Sequence, residues 1–235
     1  MQYFYSNQIN EKIIILDKVE SNHCLNVLRN SLGDKINVVD GRGNLYIGKI
    51  IKASKQQCEV SIIKDYKNYN KKTYYVHIAI SIIKNSDRME WFVEKAVEIG
   101  VDEISFIRCN RTMNKKINFT RINKVAITAM KQSLKAYCPR INEPVSFENF
   151  LKSYKNDLGF ICHLNKNNKK TLLYNKIHFK NKNSFVMIGP EGDFDKKELT
   201  LAKKYNIQSV SLGESRLRTE TAGIVACHLV NLVYE

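Results

Sequence analysis

"FVMIGPEGDFDKKELTLAKKY", residues 185–205, joins a short apolar run to a run with helical spacing through Gly189, Pro190, Gly192 and Asp193. Phe185 to Ile188 reads as a strand buried on both faces, because it is continuous, apolar and bounded by residues hostile to a helix. Asp195 followed three positions later by Glu198 is the pattern of a capping box, which predicts a helix over 196–205. The loop between them is compatible with a plain strand-to-helix turn. It also lies where ligands sit in a parallel sheet, beyond the carboxyl end of a strand. A phosphate cradle fits poorly, since no Gly-Lys-Ser/Thr follows and Glu191 and Asp193 would repel an anion.

A second unit of the same kind follows. "SVSLG" reads as a strand, and "SLGESRLRTETAG", residues 211–223, gathers Arg216, Arg218, Thr219, Glu220 and Thr221 into six positions. That is denser in hydrogen-bonding side chains than a turn requires, although Thr221 can serve as the cap of a final helix from about Ala222. Upstream, "YVHIAISII" precedes "SDRMEWFVEKAVEIG", where Met89, Phe92, Val93, Ala96 and Val97 form an i, i+3, i+4 stripe and Gly100 is a stop signal. "EISFIR", a helix in "TRINKVAITAMKQSLKAYCP" stopped by Pro139, and "GFICHL" continue the alternation. The expectation is an α/β domain with a mainly parallel sheet, its two loops lining one cleft.

The first third has another rhythm, of short β-rich runs from "KIIIL" to "CEVSIIKDY". Asp40-Gly41 and Gly43-Asn44 make Ile36 to Ala53 a hairpin candidate, and Gly41-x-Gly43 a turn rather than a nucleotide loop, as no third glycine or helix follows. Ser21 or Asn22 can cap a helix carrying Leu25 and Leu28 that ends at Gly33. The polar stretch 64–75 is taken as a linker, giving domains at 1–72 and 73–235.

The formal charge is +15, about +5 before residue 73 and +10 after it, so a polyanionic partner is expected and both parts would share it. The six cysteines are scattered without a C-x-x-C pair, which argues for free thiols in a reducing cytoplasm and against zinc; no metal is expected. The amino terminus lacks a signal-peptide pattern and no 18-residue apolar run occurs, so no membrane span is expected. A neutral-to-acidic loop beside an Arg-rich one suits a cationic ligand next to an anionic partner. S-adenosylmethionine beside RNA is such a pair.

"IGPEGDF" followed by "LGESRLRTETA" resembles the RsmE family, methyltransferases of the SPOUT class that modify N3 of a uridine in 16S ribosomal RNA. The resemblance extends through "HCLNVLRNSLGD", "DGRGNLYIGKI", "DRMEWFVEKAVEIGVDEISFIRCNRT" and "AMKQSLKAYCPRI", nearly the whole chain. It implies a PUA-like RNA-binding β-barrel ahead of an α/β SPOUT domain with a deep trefoil knot, a homodimer, S-adenosylmethionine as cofactor, and 16S rRNA of the small ribosomal subunit as partner. By resemblance, Gly189, Pro190, Glu191 and Gly192 form one wall of the cofactor pocket, Leu212, Gly213, Leu217, Arg218, Thr219 and Thr221 the other, and Leu164 ends a third strand there. The chain departs from the family pattern at three places. Asp193 replaces a frequent second glycine. Lys131, Leu134 and Lys135 stand in a segment that often reads Glu-Gln-x-Gly-Arg, of which Gln132 remains, and the chain begins Met1-Gln2-Tyr3 where many of the family begin with arginines.

For such a reaction N3 must lose a proton while negative charge develops on O2 and O4. Arg218 is expected to stabilise that charge and Arg216 to position RNA, with Glu191 as proton acceptor or as a ligand of the loop's own backbone. Two rivals remain from the sequence: methylation of another rRNA or tRNA atom, and a non-catalytic RNA-binding or ribosome-assembly protein.

Overall fold

The structure is a computed structural model in which residues 2–113, 116–154, 158–163, 171–177 and 183–235 are described. It divides into two compact units, Met1–Lys71 with Ala126–Cys138, and Lys72–Val125 with Pro139–Glu235.

In the first unit, strands β1 (Tyr3–Tyr5), β2 (Gln8–Ile9), β3 (Ile13–Leu16), β4 (Lys35–Val39), β5 (Leu45–Lys52) and β6 (Cys58–Tyr66) form one sheet in the order β1-β4-β5-β6-β3-β2. β1 and β4 run parallel and the other neighbours antiparallel. The edge strands β1 and β2 are separated along the chain only by Ser6 and Asn7. Ser6 is buried. Its N–H donates to Val39 O at 3.1 Å on β4 and its Oγ to Ile15 O at 2.6 Å on β3, so one residue stitches the two edges together. A bridge of this kind engages part of the unpaired rim that an open sheet would offer to other chains. Phe4, Ile14, Leu16, Val38, Ile50 and Val60 fill the interior.

The β4–β5 hairpin is turned as its sequence predicts. The Asp40 carboxylate accepts from Arg42 N at 2.8 Å and Asn44 N at 3.0 Å, and Gly41 and Gly43 have φ of 72° and 99°. A Cβ on Gly43 would stand 2.2 Å from the Tyr137 ring, so the glycine also admits that side chain.

The helix expected to start at Ser21 or Asn22 starts earlier. Asp17 caps α1 (Lys18–Asn22) by accepting from Glu20 N at 2.8 Å, and a π-helical turn, His23–Val27, continues it. Ser21 is spent elsewhere, since its Oγ donates to Leu16 O at 3.1 Å and accepts from Cys58 N at 2.8 Å.

The second unit holds β7 (Tyr75–Ser81), α2 (Ser86–Ile99), β8 (Glu103–Arg108), the first part of α3 (Phe119–Gln132), β9 (Arg140–Ser146), α4 (Phe147–Ser153), β10 (Leu158–Cys162), β11 (Asn183–Ile188), α5 (Lys196–Lys204), β12 (Gln208–Val210) and α6 (Thr219–Tyr234). Its six strands are all parallel, ordered β12-β10-β11-β7-β8-β9. The expected alternation and parallel sheet are thus present. β9 and α4 were not foreseen, because "RINEPVS" is a polar, half-exposed edge strand without a clean alternation.

Side-chain alternation along β7 divides the core. Ala79 packs with Phe147, Phe150, Phe185, Met187 and Phe194 in one cluster. α6 and α2 pack together, and α6 reaches β7 and β11. Gly223 permits this approach, as a Cβ there would meet Phe92 Cε2 at 2.6 Å and Ile80 Cδ1 at 3.1 Å. The expected α2 stripe, Met89, Phe92, Val93, Ala96 and Val97, is buried, and Gly100 closes the helix with φ of 118°.

α3 ends at Gln132, well before Pro139. Leu134 turns the chain with φ of 55°, at the place where the family resemblance implies glycine. A left-handed leucine costs about 1–2 kcal/mol, partly returned by its smaller loss of chain entropy. Lys131, also a departure from that pattern, forms an ion pair with Glu20 of α1, in which both side chains are largely buried. A Leu134→Gly variant is therefore expected to unfold in urea at a concentration no lower than the natural chain.

A buried polar cluster closes the amino-terminal end of the central strands. His77 Nε2 and Ser105 Oγ are 2.8 Å apart, and Glu103 accepts from Tyr75 Oη at 2.8 Å and Tyr154 Oη at 2.6 Å. Burial pushes the His77 imidazole down to about 4, against a partial upward pull from Glu103, so it is neutral at pH 7. The unfolded chain takes up a proton near pH 6.5 and the folded chain does not until about 4. Stability is accordingly present above pH 6.5 and is lost as pH falls towards 4, on the order of 3 kcal/mol. Urea midpoints across this range test it, and His77→Gln should flatten the pH profile between those limits.

Candidate active site

In sheet order β12, β10 and β11 are neighbours, and all three point their carboxyl ends the same way. Their following loops border one cleft of about 430 Å3, the size class of small-molecule sites. Cys162 and His163 come from the end of β10, Gly189 to Asp193 from the loop after β11, and Ser211 to Thr219 from the loop after β12.

The loop after β11 is stiffened by local bonds. Asp193 N donates to Pro190 O at 2.9 Å, which closes a turn over Glu191 and Gly192. Asp193 has φ of 61°, and its Oδ1 accepts from Phe194 N at 2.8 Å. Aspartate is among the few residues with a side chain that tolerate this conformation, so the glycine of the related pattern is replaced at modest cost. Gly189 lies against Phe194, whose ring would touch a Cβ at 3.0–3.1 Å. The capping box of Asp195 and Glu198 is formed in both directions, at 2.8 Å and 2.9 Å. Asp195 is held below its usual range, first by the Glu198 N–H and then by the Asn110 side chain.

The loop after β12 leads directly into α6, three residues earlier than Ala222. Arg218 is the N-cap residue and makes no capping bond with its side chain, so Thr221 is not the cap. Thr219 Oγ1 instead donates to Gly189 O at 3.0 Å, tying the two loops together. Arg216 Nη2 reaches Glu191 O at 3.5 Å. Gly213 has φ of 132°, a backbone conformation that L side chains rarely adopt, and the Ser211 hydroxyl brackets it by donating to its O at 2.8 Å and accepting from its N at 3.2 Å.

The structure brings most of the sequence-derived residues to one place. Gly189, Pro190, Glu191 and Gly192 line one side of the cleft, and Leu212, Gly213, Arg216, Leu217, Arg218 and Thr219 line the other. Thr221 is half-buried in the first turn of α6 and does not line it. Leu164 lies outside the described residues. The Glu191 side chain is exposed, and the turn that carries it is closed by main-chain atoms without its carboxylate. Burial, reinforced by Asp193, raises the Cys162 thiol well above its ordinary range, so it is no thiolate nucleophile at neutral pH.

A family profile described as "RNA methyltransferase domain" matches residues 69–231, and one described as "RNA methyltransferase PUA domain" matches residues 16–63. The chain belongs to the RNA methyltransferase family. It is 35% identical to a protein of Porphyromonas gingivalis described as a probable rRNA-methyltransferase, with a TM-score of 0.91 over 99% of this chain and 98% of that one. A ribosomal RNA small subunit methyltransferase E from Neisseria gonorrhoeae, solved bound to S-adenosyl methionine, is 25% identical with a TM-score of 0.89 over 100% and 98%. Among curated relatives, the ribosomal RNA small subunit methyltransferase E of Mesomycoplasma hyopneumoniae is 28% identical over 95% of this chain and 96% of its own length. The RsmE resemblance read from the two loops therefore stands, as do the α/β class and the PUA-like amino-terminal domain.

Sequence reading missed the loop after β8 of this family member. Asn110 N donates to Glu198 Oε1 at 2.9 Å, Asn110 Nδ2 to Asp195 Oδ2 at 2.6 Å, and Arg111 Nη1 to Gly192 O at 2.6 Å. "CNRT" carries no signal beyond its place in the resemblance, because nothing in its spacing announces contacts some 80 residues away. Among the described residues no His/Cys/Asp/Glu group is placed to hold a metal ion, and no helix is long and apolar enough to cross a membrane.

The left-handed backbone of Asp193 gives a direct test. Asp193→Gly should leave urea stability within about 0.5 kcal/mol, whereas Asp193→Val, β-branched at positive φ, should lose about 1–2 kcal/mol. Equal losses in the two variants would remove backbone conformation as the reason.

Proposed function

We propose that the chain transfers a methyl group from S-adenosylmethionine to N3 of a uridine in 16S ribosomal RNA of the small subunit. The observation that carries this reading is the meeting of the Gly189–Gly192 and Leu212–Thr219 loops around one cleft, in a chain matched end to end by a small-subunit methyltransferase E solved with that cofactor.

The residues present fit such a cofactor. Ile188, Leu212, Leu217 and Ala222 offer apolar contact, and the Gly189–Gly192 main chain offers polar groups at close approach. S-adenosylmethionine supplies, when bound, an electrophilic methyl group. The chain's own residues hold the acceptor base and favour loss of its N3 proton. Arg218 is exposed at the start of α6, where the positive end of the helix dipole adds to its charge, and it receives the negative charge that develops on the uracil oxygens. Glu191, exposed at the same cleft, accepts the proton, and Arg216 positions the RNA backbone. The base has to leave its stack to reach the cleft, as chemistry on nucleobases generally demands.

The same proposal includes a PUA-like domain at 1–72 presenting RNA, a SPOUT domain at 73–235 with its trefoil knot, a homodimer, and a cytoplasmic location. The net charge of +15 supports the polyanionic partner.

Calorimetry should detect S-adenosylmethionine binding to the purified protein, and its absence even with RNA present would leave a non-catalytic RNA-binding protein. Arg218→Ala should fold normally and lower methyl transfer at saturating substrate by about 100-fold or more, the size of effect seen when a donor to developing charge is removed. Unchanged turnover would take Arg218 off the catalytic list. Nucleoside mass spectrometry of small-subunit RNA from cells lacking the gene should show no N3-methyluridine.

A further inference from the structure

We propose that Arg111 and Arg216 form a two-guanidinium clamp for one phosphodiester of the RNA, seated on the turn that walls the cofactor cleft. The proposal rests on the RNA methyltransferase reading above and names a contact that reading leaves open.

The two arginines arrive from different parts of the chain. Arg111 follows β8 and Arg216 follows β12, strands that lie on opposite sides of β11 in the sheet. Arg111 Nη1 donates to Gly192 O at 2.6 Å, and Arg216 Nη2 reaches Glu191 O at 3.5 Å. These carbonyls belong to consecutive residues at the tip of one turn, whose Cα atoms are about 3.8 Å apart as in any trans peptide. Two exposed cations are thus drawn to one tip, where their mutual repulsion is relieved by an anion placed between them.

Arg111 is held firmly for an exposed side chain. Its stem lies on Gly192, where an added Cβ would meet Arg111 Cδ at 3.2 Å. Its loop is pinned by the two Asn110 bonds to the capping box, and by Thr112 Oγ1, which is 2.8 Å from buried Ser81 Oγ and accepts from Cys109 N at 2.8 Å. Neighbouring acids are engaged within the loop: Asp195 accepts from Glu198 N and Asn110 Nδ2, and Asp193 Oδ1 accepts from Phe194 N. Glu191 is the exposed acid at the tip.

Phosphate suits this arrangement better than a carboxylate. Guanidinium forks bind phosphate oxygens two at a time, and a phosphodiester next to a nucleotide held in the cleft brings its charge to the rim without entering the cleft. Because both arginines use carbonyls of the cofactor wall, capture of the phosphate braces that wall.

The test is RNA binding measured against salt, using small ribosomal subunits lacking the modification and RNA extracted from them. Each phosphate neutralised contributes about 0.7–0.9 to the slope of log affinity against log salt. Arg111→Ala with Arg216→Ala should reduce the slope by that amount, and Arg111→Ala alone should reduce it by part of that amount and weaken binding about tenfold, the loss expected for a charge-assisted bond. Arg111→Lys should keep the slope, since the charge is retained, while losing part of the affinity with the fork. Arg111→Ala with Arg216→Ala should cost less than the sum of the single losses, as expected for groups sharing one anion. A slope unchanged in Arg111→Ala, with weaker S-adenosylmethionine binding by calorimetry, would overturn the clamp and leave Arg111 a brace of the loop. Failure of the natural protein to bind either probe would overturn the RNA reading and the clamp with it.

Discussion

The hydrogen bond from Thr219 Oγ1 to Gly189 O holds together what the sheet only brings near. Parallel order places the carboxyl ends of β10, β11 and β12 in a row, but a row of strand ends is an open ledge. Joining the first turn of α6 to the first residue beyond β11 makes that ledge a cleft. It also fixes where Arg218 stands, since the N-cap of a helix cannot shift without the helix. Thr219 is buried at this point, so its hydroxyl has a partner where an unmet one would cost about 1–3 kcal/mol.

Around that bond the loop after β11 is a node rather than a lid. Its main chain is closed by Asp193 and Pro190, its far end is fixed by the capping box, and its tip is touched by arginines from two other loops. Each contact is made largely by backbone atoms of the loop. The glycine-rich composition suits this, because a Cβ at Gly189 would crowd the Phe194 ring at 3.0 Å and one at Gly192 the Arg111 stem at 3.2 Å. Rigidity of this sort suits a wall against which a small molecule is held in one orientation.

Two departures from the family pattern have the same physical explanation. Asp193 and Leu134 both take positive φ, with values of 61° and 55°, at positions where the family resemblance implies glycine. Aspartate compensates with a local bond to Phe194 N, whereas leucine has no such bond to offer and carries the strain. Lys131 is matched by Glu20, so that the exchanged charge is paired and not left buried alone.

Much of this was legible in the sequence. The 3.6-residue stripe of α2, the capping box of α5, the glycine turns of the β4–β5 hairpin and the strand-loop-helix rhythm are local patterns, set by residues within a few positions of one another. The paired loops also resembled one family closely enough to name the pocket residues. Local signals misled where a residue serves a distant partner: Ser21 bridges β3 and β6 instead of capping a helix, and Thr219, not Thr221, ties the start of α6 to the loop after β11. The strand order, the bridge that Ser6 makes between β4 and β3, and the convergence of Asn110 and Arg111 on the loop after β11 were decided only by tertiary structure. They depend on contacts between residues tens of positions apart, for which a single sequence carries no periodic signal.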